Sequence, residues 1–249
     1  MKVLKPKRKS KSESSPAPAF PSTRRERALV TRRRVLRAAY ELFCASGYAA
    51  TTMDAIAKEA GVAVQTLYFT FHTKGVILSE TVGASILGFD RWDPRAEPAV
   101  SANPRKAFRD FHGWYPAFES AKTPAQALGV FVDASIRILA RVSPLVAVMS
   151  AAAVSDPDVR AMSEIGEQRR VESYHVVVEM LAKRGGLRRG VTVRRGTDVM
   201  LAILSGETYQ HLAYRRGWSA AACRNWFFDV LGQQLLPAPK DVTRPSRPL

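Results

Sequence analysis

Hydrophobic residues recur at helical spacing along most of the chain, with polar residues between them. The first pattern begins at Ala28, and its i, i+3, i+4 and i+7 positions form one apolar stripe of Val35, Leu36, Ala39, Leu42 and Phe43. Gly47 ends this predicted helix, because glycine readily adopts the left-handed conformation found just after a helix. Thr51 or Thr52 can then cap a second, short helix that ends at Gly61.

A third helix is predicted from Ala63 to Phe71, and its two sides differ in character. One side carries Val62, Leu67 and Phe71, and the other carries Gln65, Tyr68 and Thr70. Two short helices joined through a glycine are typical of a helix-turn-helix, whose second helix enters the major groove of DNA. A simple corner between two helices is the alternative interpretation. The absence of Asp and Glu from Gly61 to Ser79 favours the DNA-binding one.

The rest of the chain also has helical patterns, and no alternating strand pattern interrupts them. We therefore predict an all-α protein with a three-helix helix-turn-helix DNA-binding domain over residues 28–74 and a helical ligand-binding and dimerisation bundle over 75–237. Residues 1–27 and 238–249 are predicted to be disordered tails. The later helices are expected at 73–89, 105–118, 124–142, 144–154, 157–184, 193–216 and 219–236, with an interdomain loop after residue 89.

The charge of the chain adds information about its partner. A formal net charge of +16 predicts that the partner of the protein is anionic. Nucleic acid is the first candidate, and an anionic membrane surface is the second. Residues 1–27 hold nine Lys or Arg and two Glu, which fits either an arm that follows DNA phosphates or a solvated tail. The N-terminus lacks the apolar stretch of a signal peptide, and the longest apolar run, 144–154, is short for a membrane span. We therefore expect a cytoplasmic protein without a membrane partner.

The sequence offers little for catalysis or metal binding. Its four histidines lie on different predicted elements without ligand spacing, and they are His72, His112, His175 and His211. Cys44 and Cys223 are far apart and are expected to be small core residues. We predict no enzyme activity, no metal and no cofactor.

The chain resembles the TetR family of transcriptional regulators. The matching residues are Arg34–Phe43 (RVLRAAYELF), Gly47-Tyr48, Thr51-Thr52, Ile56–Val62 (IAKEAGV), Thr66-Leu67-Tyr68, Phe71 and Lys74. The resemblance implies repression that a small-molecule effector relieves. Residues 204–236 are also similar to the last two helices of many members, which implies a four-helix homodimer interface on a palindromic operator. A broad stripe on the last helix agrees with this, and it comprises Cys223, Trp226, Phe227, Phe228, Val230, Leu231, Gln234 and Leu235. Packing of these aromatic residues within a monomer is the alternative.

The helix-turn-helix interpretation assigns roles to individual side chains. Val64, Gln65 and Thr66 are predicted to face bases. The predicted phosphate contacts are Arg33, Arg34, Thr51, Thr52, Tyr68, Thr70 and Lys74. The sequence departs from the family pattern in lacking a capping side chain at Ala63, in having Thr70 where His or Tyr is usual, and in having Gly75 where an acid is typical. Gly75 is expected to loosen the start of the fourth helix.

A ligand pocket in the bundle is predicted from large apolar residues with a few polar groups. The candidates are Trp114, Tyr115, Phe118, Met149, Met162, Tyr174, His175 and Glu207, the last as a partner for a cationic guest. Ordinary core packing, or a solvated carboxylate for Glu207, is the alternative for each. The alternative function is that of a DNA-binding or architectural protein with no small-molecule effector.

Overall fold

The computed structural model describes residues 23–94 and 112–238, and the regular secondary structure in this part of the chain is helical. The predicted all-α class is therefore confirmed. In chain order the helices are α1 (Arg24–Ala50), α2 (Met53–Ala60), α3 (Val64–Phe71), α4 (Lys74–Leu87), α5 (Tyr115–Glu119), α6 (Pro124–Ser155), α7 (Pro157–Lys183), α8 (Val193–Ile203), α9 (Gly206–Gln210) and α10 (Ala220–Leu235). A π-helical turn, His211–Arg215, follows α9 directly.

Helix α1 begins earlier than its hydrophobic pattern predicts. The Thr23 hydroxyl accepts a hydrogen bond from the Glu26 N–H, and the Glu26 carboxylate accepts one from the Thr23 N–H. This reciprocal capping fixes the first turn at Arg24, inside the tail predicted over 1–27. The rest of that tail, residues 1–22, and the tail residues from 239 onward lie outside the described residues. At the other end Gly47, with φ of 75°, interrupts the regular helix as expected.

Two hydrophobic cores organise the molecule. The first lies among α1 to α4, and it extends onto α6 and α7 through Leu145, Val148 and Val159. The second lies in the bundle around α6, and its members include Phe118, Phe131, Leu181, Phe227 and Leu231. Each large side chain buried in this way contributes about 1.5–3 kcal/mol. Because the first core includes residues from the bundle, the N-terminal helices pack directly on it.

Helix α6 is continuous, so the predicted break between residues 142 and 144 is wrong. Pro144 has no N–H to donate to the carbonyl of Ala140. That carbonyl instead accepts a hydrogen bond from the Tyr214 hydroxyl at 3.3 Å, and the next carbonyl, of Arg141, accepts one from the Tyr40 hydroxyl at 2.9 Å. Side chains from the π-helical turn and from α1 therefore donate hydrogen bonds to the backbone carbonyl groups near the proline.

By length and composition alone, α6 could cross a membrane. Six other helices nevertheless pack against it, namely α1, α4, α5, α7, α9 and α10. A single apolar helix surrounded in this way is weak evidence for a membrane span, because the core helix of a globular bundle has the same composition.

The last third of the chain differs from its prediction in two places. The helix expected over 193–216 is divided, because Ser205 caps a new helix by accepting from the Thr208 N–H at 3.1 Å. The predicted dimer stripe on α10 is also partly internal. Cys223, Phe227, Leu231 and Leu235 are fully buried in the bundle core, so these four residues are unavailable to a second copy.

Cys44 of α1, which was expected to be a small core residue, is exposed.

The helix expected over 105–118 can be compared only at its end. Residues 105–111 lie outside the described part of the chain, and the described residues that follow form the short helix α5. Its N-terminal residue Tyr115 and its Phe118 are both buried. The C-terminal end of the prediction therefore falls on a helix that packs into the bundle core.

Candidate nucleic-acid interface

Helices α2 and α3 meet at a tight turn whose geometry follows from two residues. Thr52 caps α2, since its hydroxyl accepts from the Ala55 N–H at 3.1 Å. Gly61 ends α2 in the left-handed conformation with φ of 62°, and its N–H donates to the carbonyl of Lys58. Helix α3 begins after Ala63, which provides no side-chain cap, as its sequence predicts.

Helix α3 presents an uncharged edge to solvent. Leu67 and Phe71 are 0% and 1% exposed, and they fix α3 to the first core. On the opposite side Gln65 and Thr66 are exposed, and Tyr68 is 52% exposed. Val64 and Thr70 are half-buried at the margins of this face. The base-facing and phosphate-facing candidates on α3 therefore share one accessible side.

Phe69 is a candidate that sequence reasoning missed. Its side chain is 87% exposed, the highest fraction among the large hydrophobic residues of the described chain. An apolar ring held in water on this edge is suited to contact with thymine methyl groups or sugars. The helical spacing places residue 69 two positions from buried Leu67, so its exposure could have been read from the pattern.

Arg25 is a second missed candidate, because it fell within the predicted tail. A cleft of about 500 Å³ between α1 and α3 is lined by Arg25, Thr66 and Thr70, among others. A long cation on α1 therefore lies beside the polar edge of α3. The Thr-x-x-Glu spacing of residues 23–26 is the sequence signal that would have placed Arg25 on a helix.

The remaining predicted phosphate contacts lie in different surroundings. Arg34 and Thr52 are exposed, and Arg33 is half-buried with its Nε donating to the Trp92 carbonyl at 2.8 Å. Thr51 is only 2% exposed, and its hydroxyl donates to the Gly47 carbonyl at 2.7 Å. Thr51 therefore holds the junction between α1 and α2, and its side chain is not presented to a phosphate.

Lys74 also bonds within the domain. Its ammonium donates to the carbonyls of Tyr48 and Thr51, at 2.7 and 2.8 Å, and lies 4.2 Å from the centre of the Tyr48 ring. Burial lowers the pKa of Lys74, and the nearby Asp156 carboxylate opposes that effect. Lys74 was predicted to contact a DNA phosphate, and its ammonium group instead binds backbone carbonyl groups of the same chain.

Tyr48 extends this contact to the bundle. Its hydroxyl donates to Asp156 at 2.7 Å, and Asp156 caps α7 by accepting from the N–H groups of Asp158 and Val159. The Tyr48 hydrogen bond is the main reason that the pKa of Asp156 is lowered, and burial raises the pKa of Tyr48. We call Tyr48, Lys74 and Asp156 the hinge network, because they join the DNA-binding helices to α7.

Gly75 lies beside the hinge network and allows α4 to approach α7 closely. A Cβ added at Gly75 would lie 3.1 Å from a methyl group of Val159, and Gly75 itself is buried. The sequence suggested that this glycine loosens the start of α4. The structure instead shows a tight contact there, because the missing side chain admits Val159.

The connection after α4 returns to the DNA-binding helices. We call residues 88–94 the strap. Asp90 of the strap forms an ion pair with Arg37, and the fully buried Trp92 accepts from Arg33 through its carbonyl. Arg32, next to Arg33, pairs with Glu80 of α4 and lies over the Phe71 ring, 4.6 Å from its centre. The described part of the predicted interdomain loop, residues 90–94, therefore packs along α1.

The predicted ligand-binding residues do not form one site. Trp114, Tyr115, Phe118 and Tyr174 lie together at the second core, where the Tyr174 hydroxyl donates to the Leu204 carbonyl at 2.8 Å. Four further candidates lie elsewhere: Met149 and Met162 pack on the first core, and His175 and Glu207 are exposed. A search of the described residues finds no cluster of three or more His, Cys, Asp or Glu side chains able to hold a metal ion.

Comparison with known proteins identifies the N-terminal helices. A family model described as bacterial regulatory proteins, tetR family, matches residues 35–81, which include α2, α3 and most of the remaining first core. No curated protein sequence matches the chain. The matched segment is the helix-turn-helix with its supporting helix, so the sequence resemblance and the geometry concern the same residues.

Solved structures share the fold over most of the chain. FadR from Bacillus subtilis, crystallised with stearoyl-CoA, is 15% identical with a TM-score of 0.58, covering 80% of this chain and 96% of its own. A protein from Saccharomonospora viridis in complex with choline is 18% identical with a TM-score of 0.58, covering 83% and 98%. NalD, a repressor of a multidrug efflux pump in Pseudomonas aeruginosa, is 18% identical with a TM-score of 0.51, covering 85% and 98%.

Proposed function

We propose that the chain is a DNA-binding transcriptional regulator of the TetR family, and that it acts as a homodimeric repressor which a small molecule releases from its operator. The observation that carries the DNA-binding part of the proposal is the acid-free, outward edge of α3, held from behind by Leu67 and Phe71. Such an edge can approach a polyanion without charge repulsion and still offer hydrogen bonds to base edges.

We assign base contacts to Val64, Gln65 and Thr66. The Gln65 amide carries both a donor and an acceptor, which matches the exposed edge of adenine in the major groove. We assign phosphate contacts to polar and cationic groups around this edge. Arg25, Arg34, Thr52 and Tyr68 are exposed, and Arg33 and Thr70 are half-buried. Thr51 is left out because it is buried, and Lys74 is left out because its ammonium bonds to the protein backbone.

A homodimer is part of the proposal, because a two-fold protein places two α3 helices on the half-sites of a palindrome about one DNA turn apart. An aromatic group around the start of α10 supports it. Tyr214 and Trp218 are 59% and 38% exposed, and Trp218 lies 6.4 Å from Trp226, centre to centre. We assign the contact between copies to this outer side of α10, since its inner stripe is buried in the bundle.

The switch would act through α4, which joins the two parts of the molecule. Helix α4 packs against α1, α6 and α7. A ligand that binds one orientation of α4 more tightly would change the separation of the two α3 helices, and such coupling is typically about 1–3 kcal/mol. We place this regulator in the cytoplasm, where operator DNA and effector meet.

Selection from a pool of randomised DNA duplexes tests the DNA-binding part. The purified protein should enrich a palindromic sequence, and Gln65→Ala should bind that sequence and a mismatched one with more similar affinities. Each lost base contact of this kind reduces discrimination by about 1–3 kcal/mol. Failure to enrich any sequence at low ionic strength would overturn the proposed function. If the protein enriches a DNA sequence but no small molecule releases it from that sequence, the result would favour an architectural DNA-binding role.

A further inference from the structure

A cavity of about 440 Å³ lies where the end of α4, the strap and the middle of α6 meet. Three arginines line it: Arg91 from the strap, and Arg137 and Arg141 from α6. Its other walls include Leu87, Trp114 and Ile138, which are apolar. We call this space the arginine cavity. Of the eight predicted ligand-binding residues, Trp114 is the one that lines it.

Two of the arginines that line the cavity, Arg137 and Arg141, are not paired with the acid that lines it. Among the described lining residues Asp90 is the only carboxylate, and it pairs with Arg37, which lies outside the lining. Arg141 donates from Nε and Nη2 to the carbonyls of Ser85 and Ile86, and these acceptors carry no formal charge. An anion entering the cavity would therefore meet an excess of positive charge from Arg137 and Arg141.

The titration of two lining groups is consistent with this excess. Burial lowers the pKa of Arg141, and the neighbouring charge of Arg137 lowers it further. Burial and then the charge of Arg91 lower the pKa of His112 to about 4. His112 is therefore neutral at pH 7, and we assign the guanidinium groups of Arg137 and Arg141 as the cations that a guest would meet.

The volume of the cavity and its apolar walls indicate that the bound molecule is organic. A bare phosphate would fill a small part of about 440 Å³ and would leave Trp114, Leu87 and Ile138 without a partner. A guest with an apolar body and one anionic group would satisfy both parts of the lining. We propose that the arginine cavity binds an organic anion, a carboxylate or phosphate ester on an apolar body, as the effector of the regulator. This inference rests on the proposed function.

The walls of the arginine cavity connect it to the DNA-binding helices by two routes. Arg141 bonds to the last carbonyls of α4, so a guest that attracts its guanidinium weakens those bonds. Arg91 lies in the strap, whose neighbouring residue Asp90 pairs with Arg37 of α1. Binding of an anion would therefore shift both α4 and α1 relative to α6.

Calorimetric titration with 1-naphthoate tests the site. The neutral 1-naphthamide has nearly the same shape and serves as its control. We expect the wild-type protein to bind naphthoate saturably and naphthamide at least about tenfold more weakly, the difference that one charge-assisted hydrogen bond supplies. Arg137→Gln should weaken naphthoate binding about tenfold, because Arg137 is exposed and its replacement leaves the fold intact. Arg194→Gln, the same charge change on an exposed face of α8, should leave binding within about twofold.

Amide hydrogen exchange locates the bound naphthoate. Protection should change in residues 88–94 and at the end of α4. Equal affinity for naphthoate and naphthamide, an unaltered affinity in Arg137→Gln, or changes confined to other helices would each overturn the proposal. These measurements need no DNA, so failure of the duplex selection would overturn the proposed function without altering the outcome for the arginine cavity.

Discussion

Replacing Lys74 with Met separates two roles that the same side chain could play. The sequence predicts a phosphate contact, whereas the structure has the ammonium bonded to the carbonyls of Tyr48 and Thr51. Methionine keeps the length of the stem and removes the charge. The two roles predict opposite results, because a phosphate contact acts only in the complex and a backbone contact acts in the protein alone.

The magnitude follows from the two hydrogen bonds. Bonds from a charged donor contribute about 1.5–3 kcal/mol each, and water can replace part of the loss because Lys74 is half-buried. We therefore expect the lower end, about 3 kcal/mol in total. For a domain of this size a loss of 1 kcal/mol lowers Tm by about 2–4 °C, so Lys74→Met should lower Tm by about 6–12 °C.

The assay is thermal unfolding, combined with operator affinity measured across a salt series well below Tm. Lys122→Met is the control for stability, since Lys122 is exposed, and it should change Tm by less than about 2 °C. The slope of log affinity against log salt should be unchanged in Lys74→Met. An unchanged Tm with a slope smaller by about one unit would refute the structural role and restore the phosphate contact.

Three further substitutions test the interface and its supports. Arg25→Ala should reduce the salt slope of operator binding by about 0.9 with Tm unchanged, and an unchanged slope would remove Arg25 from the interface. Tyr48→Phe tests the pH dependence of the hinge network. The Tyr48 hydrogen bond lowers the pKa of Asp156 in the folded state, so its stabilisation is present above the unfolded pKa of about 3.9 and is lost as pH falls through the folded value. The variant should therefore be less stable at pH 7 and should lose less stability on acidification, as followed by urea unfolding between pH 7 and 3. Arg32→Met removes the ion pair with the largely buried Glu80 and should cost about 1.5–3 kcal/mol, as for a hydrogen bond to a charged group, and a loss below about 1 kcal/mol in the same measurement would contradict the importance of the pair.

The elements with strong local signals were predicted well from the sequence. Helical periodicity together with Gly47, Thr52 and Gly61 gave α2 and the break in α1, because the conformational preferences of these residues are local. The buried side of α3 was predicted for the same reason, since Leu67 and Phe71 are four positions apart. The start of α1 was missed even though the capping spacing of Thr23 and Glu26 was present in the sequence.

Features that depend on distant partners were not predicted. Pro144 indicates a helix end by local rules, and α6 continues because Tyr214 and Tyr40, far away in the chain, satisfy the carbonyls around it. Lys74 could be placed beside the helix-turn-helix, but its backbone acceptors depend on how α4 meets the junction of α1 and α2. The arginine cavity had no sequence signal, because Arg91 and Arg137 are brought together only by the fold.

The contacts at the two ends of α4 explain how a ligand at one end could act on DNA at the other. At the first end, the hinge network and the close approach of Gly75 to Val159 limit movement of α4 along α7. At the far end, the hydrogen bonds from Arg141 reach only backbone carbonyls of α4, which a charged guest can outcompete. Helix α4 has 14 residues and is therefore about 21 Å long, so a 2 Å displacement of its far end rotates it by about 5°. Because α4 packs along α1, and α1 shares its core with α3, this rotation would be passed to the helix that faces DNA.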